Sequence, residues 1–219
     1  MLVPFGEELW VVHAPLRLLG VPAGRWMAVA RLPGGALWVH SPAPLEDDLR
    51  RALKELGEVR WVVAASRLHG HMWMEQYRAA FPHAQLLAPP GLAARRKDLR
   101  FDGDLPGAQW EGVIDQEPLA GHRLLDEVEF FHRPSRTAIM GDAVWNVAPS
   151  DPRRVRLWVG RSRGPGPTRM FRRMFRDRAA ARASIDRMLA WDPERLVAGH
   201  GDPIASGGRE ALERAYRWL

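Results

Sequence analysis

The sequence predicts a mixed α/β chain folded as a four-layer αββα sandwich. Three observations predict it. Short apolar, β-branched runs come in groups, amphipathic helices close those groups, and the order of strands followed by helix occurs twice along the chain. That order suits two sheets packed face to face, with helices outside, better than a doubly wound parallel sheet. No GxGxxG or P-loop pattern is present, which disfavours the common nucleotide folds. The 219 residues are enough to bury a sizeable core, and one domain over residues 1–219 is expected.

The elements follow in order. "ELWVVHAP" reads as a strand. "RWMAVARL" and "GALWVHSP" read as two more, joined by a turn at Pro33-Gly34-Gly35. "PLEDDLRRALKELG" is a helix: Leu45, Leu49, Leu53 and Leu56 share one face, Glu46, Asp47 and Asp48 fill the first turn, and Gly57 ends it. "VRWVVAAS" is apolar throughout and fits a strand buried on both faces. "MEQYRAAFP" is a short helix stopped by Pro82, and "AQLLAPP" another strand. "DEVEFF" and "TAIMGD" form a hairpin around residues 132–136. Residues 150–183 are rich in Arg, Gly and Pro and become helical from about Pro167. "AAARASIDRMLAWDP" is a helix, "RLVAGHGDP" a short strand running into a His-Gly turn, and "GGREALERAYRWL" a closing helix.

Composition removes several function classes. The chain has no cysteine, so a metal must be held by His, Asp or Glu. No run of 18 apolar residues and no basic segment leading into an apolar one appears near the N-terminus. No membrane partner and a cytoplasmic location are therefore expected. The net charge is +6, carried almost wholly by arginine, since Lys54 and Lys97 are the only lysines. Such a skew reflects a GC-rich genome more than a binding function.

Three predicted strands end on a metal-type ligand beside a glycine: His69 and His71 in "RLHGHMWM", Asp142 in "AIMGD", and His200 in "LVAGHGDP". Glycine lets the backbone turn and leaves the neighbouring side chain at the rim of a sheet. Strand ends that converge at one rim gather ligands from distant parts of a chain. Imidazole and carboxylate together suit zinc, iron or manganese.

This ordered series resembles the metallo-β-lactamase fold superfamily, which carries an HxHxDH motif after a strand, a later His, an Asp in a "GD" and a last His in a "GHG". His69 and His71 match the first two histidines, His122 in "LAGH" the middle one, Asp142 the aspartate and His200 the last. The stretches "HGHMWMEQYRAAFPHAQLLAPP" and "DEVEFFHRPSRTAIMGDAVWN" are similar to an uncharacterised branch, the DUF4336 family, which implies the fold and no substrate. The resemblance implies a hydrolase holding its ion through His69, His71, His122, Asp142 and His200 or a subset. Asp142 is the carboxylate expected at the catalytic position, and Glu127 and His132 are alternative ligands or supports for them. Two departures stand out. Trp73 replaces the aspartate of HxHxDH and Met74 its last histidine. Neither serves a hard cation, so a reduced site with one ion is expected. A protein that keeps the fold and binds a partner without catalysis is the alternative.

"RRVRLWVGRSRGPGPTRMFRRMFRDRAAAR" is the strongest charge run. It reads as a solvated helix face with Met and Phe packed inward. Nucleic acid is not the expected partner. A small-molecule substrate is expected, an anionic one if these arginines overhang the site.

Overall fold

Successive side chains of a strand face opposite ways, so a strand that is apolar at every position needs cover on both sides. The N-terminal half supplies such strands. The structure, a computed structural model, describes residues 1–18, 20–148, 151–160 and 164–219. In chain order it begins with β1 (Val3–Gly6), β2 (Leu9–Ala14), a small hairpin of β3 (Arg17–Leu18) and β4 (Val21–Pro22), β5 (Arg25–Arg31) and β6 (Ala36–His40). Next come α1 (Asp47–Leu56), β7 (Glu58–Val63), α2 (Met74–Ala80), β8 (Gln85–Ala88), α3 (Pro90–Arg95) and β9 (Gly103–Asp104). Strands β1, β2, β5, β6, β7, β8 and β9 form one seven-stranded sheet in that order. It is antiparallel as far as β6 and parallel beyond it.

The second half adds β10 (Ile114–Pro118), β11 (Val128–His132), β12 (Thr137–Ile139), β13 (Trp145–Asn146), α4 (Arg153–Val159) and α5 (Arg169–Arg173). It closes with α6 (Arg178–Ala190), β14 (Arg195–Val197), β15 (His200–Gly201) and α7 (Gly208–Tyr216). β10, β11, β12 and β14 make the second sheet, and β13 and β15 pair beside it.

The layers follow from which side chains meet. Leu37 and Val39 of β6 pack outward with Leu49 and Leu53 of α1 and Tyr77 of α2. Trp38, between them in sequence, faces inward and meets Trp110, Phe130 and Ile139 from the other half. The outer face of the second sheet is covered in turn by Ile185 and Met188 of α6 and Leu212 and Tyr216 of α7. Helices, sheet, sheet, helices is the αββα order that the sequence predicts.

Some expectations shift at their edges. β7 is not buried on both faces along its whole length, since Glu58 and Arg60 in its first half are exposed. Residues 153–159, read from the sequence as irregular, form α4. Among its described side chains, Val155 and Val159 line its inner face, a stripe too narrow to register as a period. Strand β10 went unnoticed because "IDQEP" is mostly polar; it is recruited by pairing with β11.

The pairing that matters most for the site is β12 with β14. The two run parallel, with Ile139 opposite Val197. Beyond that pair both chains pass through a glycine to a candidate ligand, Gly141-Asp142 on one and Gly199-His200 on the other. The two backbones touch at these glycines. A Cβ built on Gly199 would lie 1.9 Å from the Gly141 carbonyl oxygen. Backbone cannot yield as a side-chain tip does, so Gly199→Ala is expected to destabilise the chain by about 1–3 kcal/mol. Urea unfolding measures this, and a loss below about 0.5 kcal/mol would show that the two strand ends are not held this close.

Candidate metal centre

Asp142 and His200 are neighbours because their strands are neighbours and their run-outs have equal length. His69 reaches the same place from the other sheet, on the turn that follows β7. Among the described residues, one group of three or more His, Cys, Asp or Glu side chains converges with ligand atoms within 4.8 Å of one another: His69, Asp142 and His200. Arg25, Trp26, Ser41, Ser66 and Met140 complete the walls of the space between them, which has a volume of about 10 Å³. That is room for one ion or one water.

Hydrogen bonds fix the orientation of each group. Ser66 donates to Asp142 Oδ2 at 2.5 Å, and the His69 backbone N–H donates to the same oxygen at 3.4 Å. Oδ1 is thereby turned to the centre, where it meets His69 Nδ1 and, at 3.2 Å, His200 Nε2. His200 Nδ1 lies 2.5 Å from the Gly24 carbonyl oxygen. A carbonyl only accepts, so Nδ1 carries the proton. The His200 ring is stacked on Trp145 with centroids 3.8 Å apart. Burial pushes the His200 pKa down, against the pull of Asp142. A neutral ring with its proton on Nδ1 presents a bare Nε2 lone pair to a carboxylate oxygen. Two acceptors facing each other at 3.2 Å repel unless a proton or a metal cation sits between them. Burial would raise the Asp142 pKa, but the His69 and His200 imidazoles hold it well below its ordinary value.

The other residues singled out in the sequence lie apart from this group. His71 follows His69 by two positions but turns away, and its Nδ1 accepts from Arg96 at 2.7 Å. Burial and the neighbouring arginines push it down to about 4. His122 is engaged on both nitrogens. Nδ1 accepts from the Leu124 and Leu125 N–H groups, and Nε2 donates to the Phe171 carbonyl at 3.1 Å. Its ring packs edge-on against Phe175 at 4.6 Å. His132 is at the end of β11, where Ser135 Oγ is 2.8 Å from its Nδ1. Glu127 does reach the centre, through backbone: it accepts from the N–H groups of Asp142 and Ala143 at 3.0 and 2.9 Å. Trp73 faces Arg25, and Met74 is buried in the outer core of the first sheet.

Sequence reading missed Arg25. It is 3% exposed, donates through one Nη to the His69 carbonyl and through the other to the Ser41 carbonyl at 2.8 Å, and has its guanidinium 5.5 Å from the Trp73 ring centroid. Burial lowers its pKa to about 10, with Asp142 opposing the fall. It therefore stays charged at neutral pH. The one available signal was an arginine opening an otherwise apolar strand. Glu129 was missed as well. It accepts from the Gly141 N–H at 3.0 Å, lies two residues after Glu127, and both carboxyls are buried.

Comparison with known proteins rests on structure. No protein-family model matches the sequence, and no curated protein matches it. Solved structures match over nearly the whole chain. A DIM-1 metallo-β-lactamase exposed to ceftazidime is 14% identical with a TM-score of 0.71, covering 100% of this chain and 96% of that one. A metallo-β-lactamase from Pontibacter korlensis is 12% identical, TM-score 0.68, covering 99% and 97%. The flavodiiron core of Flv1 from Synechocystis is 12% identical, TM-score 0.63, covering 100% of this chain and 60% of that one. The chain has the metallo-β-lactamase fold. Among the described residues no helix is long and apolar enough to cross a membrane.

The carboxyl pair beneath Asp142 makes a pH prediction. Burial raises Glu129 from 4.5 to about 7, despite hydrogen bonds from Glu127 and Gly141, and raises Glu127 well above its ordinary value. An acid whose pKa is raised in the folded state gives stability that is complete below its unfolded pKa and is lost as pH rises through the folded one. Above about pH 6.5 ordinary histidines have lost their proton, so the carboxyls govern the slope. Stability of the metal-free protein is expected to fall between about pH 6.5 and 8, and Glu129→Gln to flatten that fall. Urea titrations across the window measure it. A Glu129→Gln slope equal to that of the unaltered protein would contradict this assignment.

Proposed function

We propose that His69, Asp142 and His200 hold one divalent cation, and that the protein is a metal-dependent hydrolase with a reduced, single-ion site. The observation that carries the reading is the bare Nε2 of His200 facing Oδ1 of Asp142, with His69 Nδ1 on the same oxygen. A shared cation turns that repulsion into attraction. Two imidazoles and a carboxylate fit zinc, with iron or manganese as alternatives, and three protein ligands leave a position open for substrate or water. When bound, the ion supplies Lewis acidity, polarising an ester, amide or phosphoester bond and acidifying water. The chain's residues supply the rest. Ser66 and the His69 N–H hold Asp142 in its rotamer, Gly24 fixes the His200 tautomer, and Glu127 anchors the backbone that carries Asp142. The narrower likeness to the DUF4336 family rests on the two stretches quoted above and adds no substrate.

Arg25 supports the single ion. Its charge lines the same small space, and Trp73 lies over its guanidinium where a carboxylate would otherwise attract a second cation. His71 has given its Nδ1 lone pair to Arg96. A second reading, a member of the fold that binds an ion or partner without catalysis, is favoured by the volume of about 10 Å³, which admits no substrate without movement.

Metal analysis of protein purified without a histidine tag, after zinc or iron loading, is expected to give about one equivalent per chain. Less than about a tenth of an equivalent would defeat the reading. His69→Ala or His200→Ala should weaken binding by more than the about 10–100-fold expected for Glu127→Gln, while His71→Ala and His122→Ala leave the stoichiometry unchanged. Hydrolysis of a panel of esters and phosphoesters that is unaffected by His69→Ala together with His200→Ala would leave the non-catalytic reading.

A further inference from the structure

The positive charge of this protein is concentrated. Residues 153–178 hold ten arginines against one acid, Asp177, so this stretch carries +9 in a chain whose net charge is +6, and everything else together is at −3. A chain-wide preference for arginine would spread the excess. Here a mildly acidic body carries one strongly basic segment.

The structure places much of that segment on the surface. Val155 and Val159 turn α4 inward, against Trp145, Val147, Leu18 and Val21. This leaves Arg153, Arg154, Arg156 and Leu157 exposed. Phe171 anchors α5 and leaves Arg169, Met170, Arg172 and Arg173 exposed. The two helices adjoin, because the Arg169 stem lies where a Cβ on Gly160, the C-cap of α4, would be, 2.4 Å from Cγ. Elsewhere nine of the twenty arginines pair with acids, as in Arg31–Glu8, Arg133–Asp115 and Arg182–Asp186. Among the described residues, none of the seven exposed arginines of α4 and α5 and their C-terminal turn (153, 154, 156, 169, 172, 173 and 176) makes an ion pair. Unmatched guanidinia at this density repel one another, and a partner rich in phosphate relieves that.

Leu157 and Met170 decide between partners. They are 50% and 51% exposed, two of the five large apolar side chains so exposed among the described residues, and both sit among these arginines. A nucleic-acid surface needs groups that read or stack on bases. This stretch contains no Asn or Gln, and its described aromatic side chains, Phe171 and Phe175, are buried. Arginines interleaved with bare aliphatic tips instead match the boundary between anionic headgroups and acyl chains. We propose that the α4–α5 surface docks this protein onto an anionic phospholipid layer, with the guanidinia on headgroup phosphates and Leu157 and Met170 at the acyl boundary. The inference is independent of the metal reading. It nevertheless bears on the site, since Trp145 contacts both α4 and the His200 ring, so docking sets the candidate centre close to the lipid surface.

Co-sedimentation of the full chain with vesicles tests it. Binding is expected to equimolar phosphatidylcholine and phosphatidylglycerol at low salt, with none to phosphatidylcholine alone, and release near about 0.5 M salt. Arg153→Glu, Arg156→Glu, Arg172→Glu and Arg173→Glu together should weaken binding at least about 100-fold. Leu157→Ser with Met170→Ser should weaken it about tenfold while leaving the thermal melt unchanged. Should the charge reversals impair folding, the matching Arg→Gln set takes their place. Failure to sediment with the anionic vesicles at low salt overturns the proposal, as does binding that survives loss of the four charges. Tighter, salt-sensitive binding to duplex DNA or RNA, indifferent to Leu157 and Met170, assigns the surface to nucleic acid and overturns it as well.

Discussion

The parallel pairing of β12 with β14 is the constraint on which the rest of the molecule depends. Ile139 opposite Val197 sets the register, and equal run-outs through glycine then deliver a carboxylate and an imidazole to the same point. Shift the register by one residue and the side chains change faces. The neighbouring contacts serve the same alignment. The Trp26 backbone N–H donates to the Gly199 carbonyl at 3.3 Å, and Gly24 fixes the His200 ring, so the start of β5 locks the strand end that carries His200.

Around that point charge is arranged in layers. Asp142 is the anion at the centre. Above it lies Arg25, buried and held by two carbonyls, and below it the Glu127–Glu129 pair, whose carboxyl pKa values burial pushes up. A buried carboxylate needs compensation, and here it comes from two imidazoles, a serine hydroxyl and a guanidinium rather than from solvent. The turn after β7 contributes one imidazole, while the residues beyond it go elsewhere: His71 to Arg96, Trp73 to Arg25, Met74 into the outer core.

The basic segment is built differently. It touches the body through a few apolar side chains and none of its seven exposed arginines on α4, α5 and the turn after α5 makes an ion pair among the described residues, where nine of the twenty arginines elsewhere do. One element, α4, joins the two: its inner face packs on Trp145, which stacks on His200, and its outer face carries arginines.

The sequence by itself determined the layered fold and the strand ends that bear ligands. Both are local: period-2 apolar runs, helix caps, and a glycine beside His69, Asp142 or His200 are readable within a few residues. It could not determine which of these side chains meet. His71 lies two positions from His69 and looks equivalent, yet the direction of one turn and the reach of Arg96 remove it, while His122 spends both nitrogens on nearby backbone. Arg25, Gly24 and Trp145 were invisible for the converse reason. Each acts on a residue more than 40 positions away, through a hydrogen bond or a stacked ring, and such contacts exist only once two sheets have closed on one another.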